Sequence, residues 1–172
     1  MKNLPWLTFL FTTLLALWFG CKSQPVNQPV RLSQVGTAKL WRSGQPNTLQ
    51  QWSYLRSIGI TDVVKLNTER GDGLGEELGI VVHRYPITIV QQTVGPAKPQ
   101  LDAALAEVIT LLNQGRGVLV HCEEGRNRTG ALIYAYRIKA CKWTRAEAKA
   151  EYDRFGGQSS LPAIRKYVDD YE

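Results

Sequence analysis

One stretch of the sequence, residues 117–136, constrains the fold more than any other. It begins with the apolar run GVLVH, passes through a short polar loop, and continues in a segment whose apolar residues recur at helical spacing. A short run that is apolar at every position is typical of a strand buried on both faces, as in parallel sheets covered by helices. The stretch therefore predicts a strand, a tight loop and a helix within an α/β layered fold.

The rest of the chain alternates short apolar runs with amphipathic segments. Strands are predicted at residues 40–46, 61–66, 80–87 and 117–121, and helices at 48–58, 101–115, 131–138, 144–155 and 161–171. The glycine-rich segment 67–79 is predicted to be a loop, with or without a helical turn, and residues 91–99 are predicted to be another loop. This order predicts a central, mostly parallel sheet flanked by helices.

The first 21 residues have the pattern of an export signal. Lys2 supplies a positive charge, residues 4–19 are almost wholly apolar, and Gly20 and Cys21 follow. An apolar run of about 16 residues is short for a membrane span but fits the core of a signal peptide. The ending WFGC resembles the lipobox of bacterial lipoproteins, which implies lipidation of Cys21; an uncleaved N-terminal anchor is the alternative.

The domain organisation follows from this leader. We expect a linker over residues 22–37, because its first part is polar and contains two prolines, and one folded domain over residues 38–172. The leader predicts an exported protein of the cell envelope or periplasm, held at a membrane only through its N-terminus. The formal net charge of +6 is dispersed, without a Lys/Arg run, so nucleic-acid binding is not expected.

The few cysteines and histidines argue against two further classes of protein, those stabilised by disulfides and those that bind a metal. With Cys21 assigned to the leader, Cys122 and Cys141 remain, which is too few for a disulfide framework. His83 and His121 lie far apart without ligand-like neighbours, so we expect neither a metal site nor another cofactor.

Cys122 and Arg128 are the residues that most directly suggest chemistry. The predicted fold places Cys122 beyond the carboxyl end of a strand, where α/β proteins bind ligands, and at the start of a helix that favours anions. A helix N-terminus and nearby cations lower a thiol pKa from about 8.5 to between about 3.5 and 7.5. The Arg128 guanidinium would grip two phosphate oxygens. These features predict nucleophilic attack by the thiolate on phosphorus and a cysteinyl-phosphate that water later hydrolyses.

The motif HCEEGRNRTG, residues 121–130, resembles the signature loop of cysteine-dependent protein tyrosine and dual-specificity phosphatases. The segments LWRSGQPN, GITDVVKLNTER and WTRAEAKAEYDRF extend the resemblance to the atypical dual-specificity phosphatases of plants and fungi and their bacterial relatives. The resemblance covers about residues 38–156. It implies a protein-tyrosine-phosphatase-like fold and hydrolysis of phosphate monoesters on phosphotyrosine or dual-specificity protein substrates.

The resemblance also implies roles for residues of the signature loop. Cys122 would be the nucleophile, Arg128 the phosphate clamp and Thr129 an aid to thiolate departure, while His121 would order the loop. The loop would bind phosphate through residues Glu123, Glu124, Gly125, Arg126, Asn127 and Arg128. The two glutamate side chains are expected to point outward, and their charge argues mildly against a densely phosphorylated substrate.

One part of the resemblance is missing. Phosphatases of this superfamily usually supply an acid from a loop before the cysteine, but that region reads YPITIVQQTVGPAKP and has no carboxylate, with Thr88 where an Asp is expected. Acid catalysis contributes roughly 10²- to 10⁴-fold. Three hypotheses remain: Glu69, Asp72, Glu76 or Glu77 supplies the acid; the enzyme prefers activated leaving groups such as a pyrophosphate; or the protein binds phosphate with little turnover. An inositol phosphate or pyrophosphate phosphatase is the alternative enzyme class.

Overall fold

The structure is a computed structural model that describes residues 28–157 and 160–171. The predicted leader and Cys21 lie outside the described residues. Within the described ranges, no helix is both long and apolar enough to cross a membrane.

Five strands form one sheet in the order β1-β2-β5-β3-β4. The strands are β1 (Ser33–Gln34), β2 (Leu40–Ser43), β3 (Asp62–Lys65), β4 (Val81–Arg84) and β5 (Val118–His121). Strands β2 to β5 pair in parallel, and only β1 is antiparallel to its neighbour β2. The prediction of a mostly parallel sheet is confirmed, and β5 lies at its centre.

Seven helices in the described ranges surround the sheet. They are α1 (Leu49–Ser57), α2 (Gly73–Glu77), α3 (Ile89–Thr93), α4 (Lys98–Asn113), α5 (Asn127–Lys139), α6 (Arg145–Arg154) and α7 (Pro162–Asp170). Thr144 and Glu147 form the predicted capping box of α6. A second capping box, from Thr88 and Gln91, begins α3 in a segment for which the sequence predicts no helix.

The central strand is buried on both faces, as its apolar sequence requires. Val118 and Val120 pack into the larger core cluster with α4 and α5, while Leu119 packs with Trp52 and Leu55 of α1 on the other face. Helix α5 is buried along most of its length. Two rigid, buried elements therefore fix both ends of the loop between β5 and α5.

The sheet also includes part of the predicted linker. Ser33 and Gln34 pair with Arg42 and Trp41, and Val35 is buried in the larger core cluster. A strand of two residues is too short to give a periodic pattern. The described fold therefore extends before residue 38.

Candidate active site

Cys122 lies directly after β5, between the carboxyl ends of β2 and β3. Its neighbour His121 is in register with Ser43 and Lys65, and only 2% of the Cys122 surface is exposed. Gly125 has φ of +71°, a backbone conformation that favours glycine, and α5 begins two residues later. The structure thus brings the thiol to a tight turn at a helix N-terminus.

Three successive carbonyl groups of the signature loop are held from outside. The backbone N–H of Gln45 donates to the Glu123 carbonyl at 3.0 Å, and Arg31 Nη1 donates to the Glu124 carbonyl at 3.1 Å. Arg42 Nη2 donates to the Gly125 carbonyl at 2.9 Å. In a trans peptide the C=O and the following N–H point in opposite directions. The N–H groups of residues 124–126 are therefore directed away from these donors, as an anion-binding loop requires.

The turn after β2 fits closely against the signature loop. A Cβ on Gly125 would lie 2.5 Å from the backbone N of Gly44, and a Cβ on Gly44 would lie 3.0 Å from the Glu123 carbonyl oxygen. For RSGQP, residues 42–46, the sequence predicts only the end of a strand. The signal for its role at the site is its position at the carboxyl end of a strand adjacent to β5.

The Arg128 guanidinium is buried and already engaged. Nη1 donates to the Ile87 carbonyl at 2.9 Å, and Nη2 lies 2.9 Å from Oε1 of Glu69. Oε2 of Glu69 accepts a longer bond of 3.4 Å from Nη1, so the fork spans both carboxylate oxygens. Burial works to raise the pKa of Glu69, but the hydrogen bonds and charge of Arg128 outweigh it and lower the pKa. The phosphate-binding side chain of Arg128 is therefore paired with the carboxylate of Glu69.

A second of the four candidate acids, Asp72, has a fully buried side chain next to His121. It contacts His121 Nε2 at 3.0 Å and Lys65 Nζ at 3.2 Å, and it accepts a hydrogen bond from Gln45. Burial opposes ionisation, but these partners hold the pKa of Asp72 at about 2. A carboxyl ionised at so low a pH holds no proton to donate at neutral pH. The contacts favour a positioning role for Asp72 over the predicted role as general acid.

The remaining signature residues lie around the thiol loop. His121 is fully buried, and its Nδ1 lies 3.4 Å from the Cys122 carbonyl oxygen. The Thr129 hydroxyl is buried and forms no hydrogen bond with the described residues, and the same is true of Oδ1 of Asn127. Thr88, where an acid was expected, instead caps α3 by accepting a hydrogen bond from the Gln91 N–H at 3.1 Å.

Each glutamate of the signature loop has an arginine nearby. Glu123 Oε1 lies 3.4 Å from Arg70 Nη2, and Glu124 Oε2 lies 3.6 Å from Arg126 Nη1. Beside the loop, a cavity of about 420 Å³ is lined by three arginines together with Leu32, Phe155 and Gly156; the arginines are Arg31, Arg126 and Arg154. The surface next to the loop is therefore more basic than the adjacent glutamates suggest.

Comparison with known proteins gives a consistent result. A family profile described as "Polymorphic toxin system, DSP-PTPase phosphatase" matches residues 35–142. Inositol diphosphatase DSP4 of Arabidopsis thaliana is 24% identical over 139 residues, which cover 77% of this chain and 68% of that protein.

Solved structures agree in fold. The core catalytic domain of the PP-IP phosphatase SIW14 from S. cerevisiae has a TM-score of 0.67 at 23% identity, covering 86% of this chain and 89% of that one. P. aeruginosa TpbA in complex with pTyr has a TM-score of 0.64 at 24% identity, covering 77% and 80% of the two chains. At these identities the structural matches show the fold alone.

Proposed function

The chain belongs to the DSP-PTPase phosphatase family. From this premise we propose that it transfers a phosphoryl group from a substrate with a good leaving group to Cys122, and that water then hydrolyses the cysteinyl-phosphate. The family is one of cysteine-dependent phosphatases, so the enzyme class and its phosphorylated substrates follow from membership. The finer proposal concerns the leaving group. The first candidate substrate is the diphosphate group of an inositol pyrophosphate, from which a phosphate departs, and the second is phosphotyrosine, from which a poorer leaving group, a phenolate, departs.

The carboxylate nearest the phosphate clamp carries this proposal. Glu69 is ion-paired with Arg128, which keeps it ionised, and Thr88 provides no acid. Expulsion of a tyrosine phenolate, with a pKa of about 10, benefits from proton donation, whereas a departing phosphate with a second pKa near 6 hardly does. The site without a ready acid therefore suits a diphosphate better than an aryl or alkyl ester.

Residue roles follow the geometry of the loop. Cys122 attacks phosphorus, the inward N–H groups of the signature loop hold the equatorial oxygens, and Arg128 exchanges Glu69 for two phosphate oxygens. The Thr129 hydroxyl, which has no partner among the described residues, is available to hydrogen-bond the departing thiolate. His121 is held by Asp72 and orders the loop from below.

The basic cavity supports a substrate with more than one phosphate. Among the described residues, the carboxylate partners of Arg126 and Arg154 lie at 3.6 Å and 3.9 Å, and both side chains are well exposed; Arg126 Nε also donates to the Gly156 carbonyl at 3.2 Å. Such weak pairs leave both guanidinium groups able to bind further phosphates. Relatives named as inositol diphosphatases and a relative solved with pTyr motivate the two substrate candidates.

The decisive experiment compares phosphate release by the wild type and Cys122→Ser from an inositol pyrophosphate, phytate, a phosphotyrosine peptide and an aryl phosphate. We expect the highest kcat/KM on the pyrophosphate and no release by the variant. Arg154→Gln should raise KM for the pyrophosphate but not for the peptide, and Arg165→Gln on the surface of α7 is the matched control. Equal rates for wild type and Cys122→Ser would refute catalysis, and a preference for the peptide would refute the pyrophosphate assignment.

We also propose that the protein is exported and lipidated at Cys21, on the leader pattern alone. Mass spectrometry of the mature N-terminus tests this, because lipidation adds acyl mass to a chain that begins at Cys21. An N-terminus that retains Lys2 would contradict export with cleavage.

A further inference from the structure

Arg42 is a buried cation without a carboxylate partner. It lies on β2 in register with Val120 of β5, and only 1% of its surface is exposed. Nη2 donates to the Gly125 carbonyl, whereas Nε and Nη1 form no hydrogen bond with any described residue. No Asp or Glu in the described ranges lies within ion-pair distance of its guanidinium. Its Cζ also lies 4.0 Å from the centroid of the Phe155 ring.

A buried charge in this position needs a compensating anion. Removing a guanidinium from water without pairing it is unfavourable, and the face of an aromatic ring offsets only part of that. Burial lowers the pKa of Arg42 to about 10, while the negative charges of Glu151 and Cys122 oppose the change. Both carboxylate oxygens of Glu151 already accept hydrogen bonds of 2.8 Å from Arg137. Of the two negative groups that act on Arg42, Glu151 is thus already paired, and an ionised Cys122 is the one that Arg42 is free to stabilise.

We propose that Arg42 is a positioning residue for the phosphatase reaction, which holds the Gly125 carbonyl outward and places a positive charge behind Cys122 that stabilises its thiolate. The inference rests on the proposed function and adds a residue outside the signature loop to its machinery. Arg42 contacts the outer side of the loop, so it acts through the loop and the thiolate and does not touch the substrate.

Comparison with Arg31 distinguishes the two parts of this role, which are the contact with a loop carbonyl and the buried charge. It makes the same kind of bond to the neighbouring Glu124 carbonyl, but from a partly exposed position where solvent screens its charge. Loss of Arg31 therefore removes a carbonyl anchor without removing a buried charge. A difference between the two arginines identifies the contribution of the buried charge.

The test measures alkylation of Cys122 by iodoacetamide in the full chain between pH 5 and 9, with the Cys122 peptide quantified by mass spectrometry. For Arg42→Met we expect the midpoint of the alkylation rate against pH to rise by about one pH unit, which is a tenfold loss of thiol acidity. Arg42→Lys, which keeps the charge, and Arg31→Met should each stay within about threefold of wild type. Arg165→Met controls for net charge.

Several outcomes would overturn the proposal. They are an Arg42→Met profile that coincides with wild type, an equal shift in Arg31→Met, or a tenfold loss in a folded Arg42→Lys. The lysine variant decides the matter if Arg42→Met does not fold by circular dichroism. Because alkylation reports the thiolate without turnover, its result is distinct from failure of the proposed function, which would appear as phosphate release by Cys122→Ser.

Discussion

Replacement of Asp72 by Asn tests whether this carboxylate positions the loop or donates a proton. In the structure its pKa falls from 3.8 to about 2 despite burial, mainly through its contact with His121 and to a smaller extent through Gln45 and Lys65, and Lys65 Nζ lies 3.2 Å from its carboxylate. A shift of that size corresponds to roughly 2 to 3 kcal/mol of stability at neutral pH. Breaking a buried ion pair, which leaves Lys65 uncompensated, costs about 3–5 kcal/mol. We expect Asp72→Asn to destabilise the fold by at least about 2 kcal/mol.

Urea unfolding followed by tryptophan fluorescence measures this change. With a typical slope of about 1–3 kcal/mol per molar urea, the midpoint should fall by about 1 M. The sign of the pH dependence follows from a lowered pKa, so the stabilisation is complete above the unfolded value of 3.8 and is lost as pH falls toward 2. The gap between wild type and Asp72→Asn should therefore narrow below about pH 4.

Two results would refute the reasoning. A midpoint within about 0.2 M of wild type at pH 7 would mean that the ion pair contributes little to stability. Loss of the basic limb of the kcat/KM profile in a folded Asp72→Asn would show that Asp72 supplies the proton after all. Surface pairs provide the control: Lys149→Gln removes an exposed i,i+4 partner of Asp153 and should change stability by less than about 0.5 kcal/mol.

Three further predictions concern the phosphate site. Glu69→Gln should bind vanadate about fivefold more tightly, because the anion no longer competes with a charged Glu69 for Arg128. Its turnover of a pyrophosphate should not fall. Loss of the basic limb of the kcat/KM profile on an aryl phosphate would instead identify Glu69 as the acid. Arg128→Lys should lower kcat/KM on any substrate by at least about a hundredfold, since a point charge cannot replace the fork, and tenfold or less would contradict the clamp role. Gly125→Ala should lose at least about 2 kcal/mol in urea unfolding and most activity, because the added Cβ meets the backbone at 2.5 Å; unchanged activity would show that the loop has room to move.

Local patterns predicted the main elements of the fold. The run GVLVH gave a correct central strand because burial on both faces demands apolar side chains at every position. Thr144 and Glu147 gave a correct helix start because a capping box acts within one turn. Helix α3 was missed although Thr88 and Gln91 carry the same signal, since five residues followed closely by Gly95 and Pro96 favour a loop interpretation.

The site was less predictable because its contacts join distant segments. Glu69 meets Arg128 only because β3 and β5 are neighbours in the sheet and end at the same edge. Asp72 belongs to a glycine-rich, charged segment, which is typical of an exposed loop. Its carboxylate is nevertheless buried, because it pairs with Lys65 and His121 at the carboxyl ends of β3 and β5. Arg42 has no local sign of burial, because its position depends on the pairing of β2 with β5.

The contact between Gly44 and Gly125 has a consequence for protein engineering. A methyl group on Gly125 would overlap the main chain of Ser43 and Gly44, and one on Gly44 would press against the main chain of Glu123 and Glu124, so the two segments behave as halves of one assembled part. Grafting residues 121–130 alone onto another parallel-sheet scaffold would transfer the sequence of the catalytic loop without its shape. A successful transplant must carry both strand ends together.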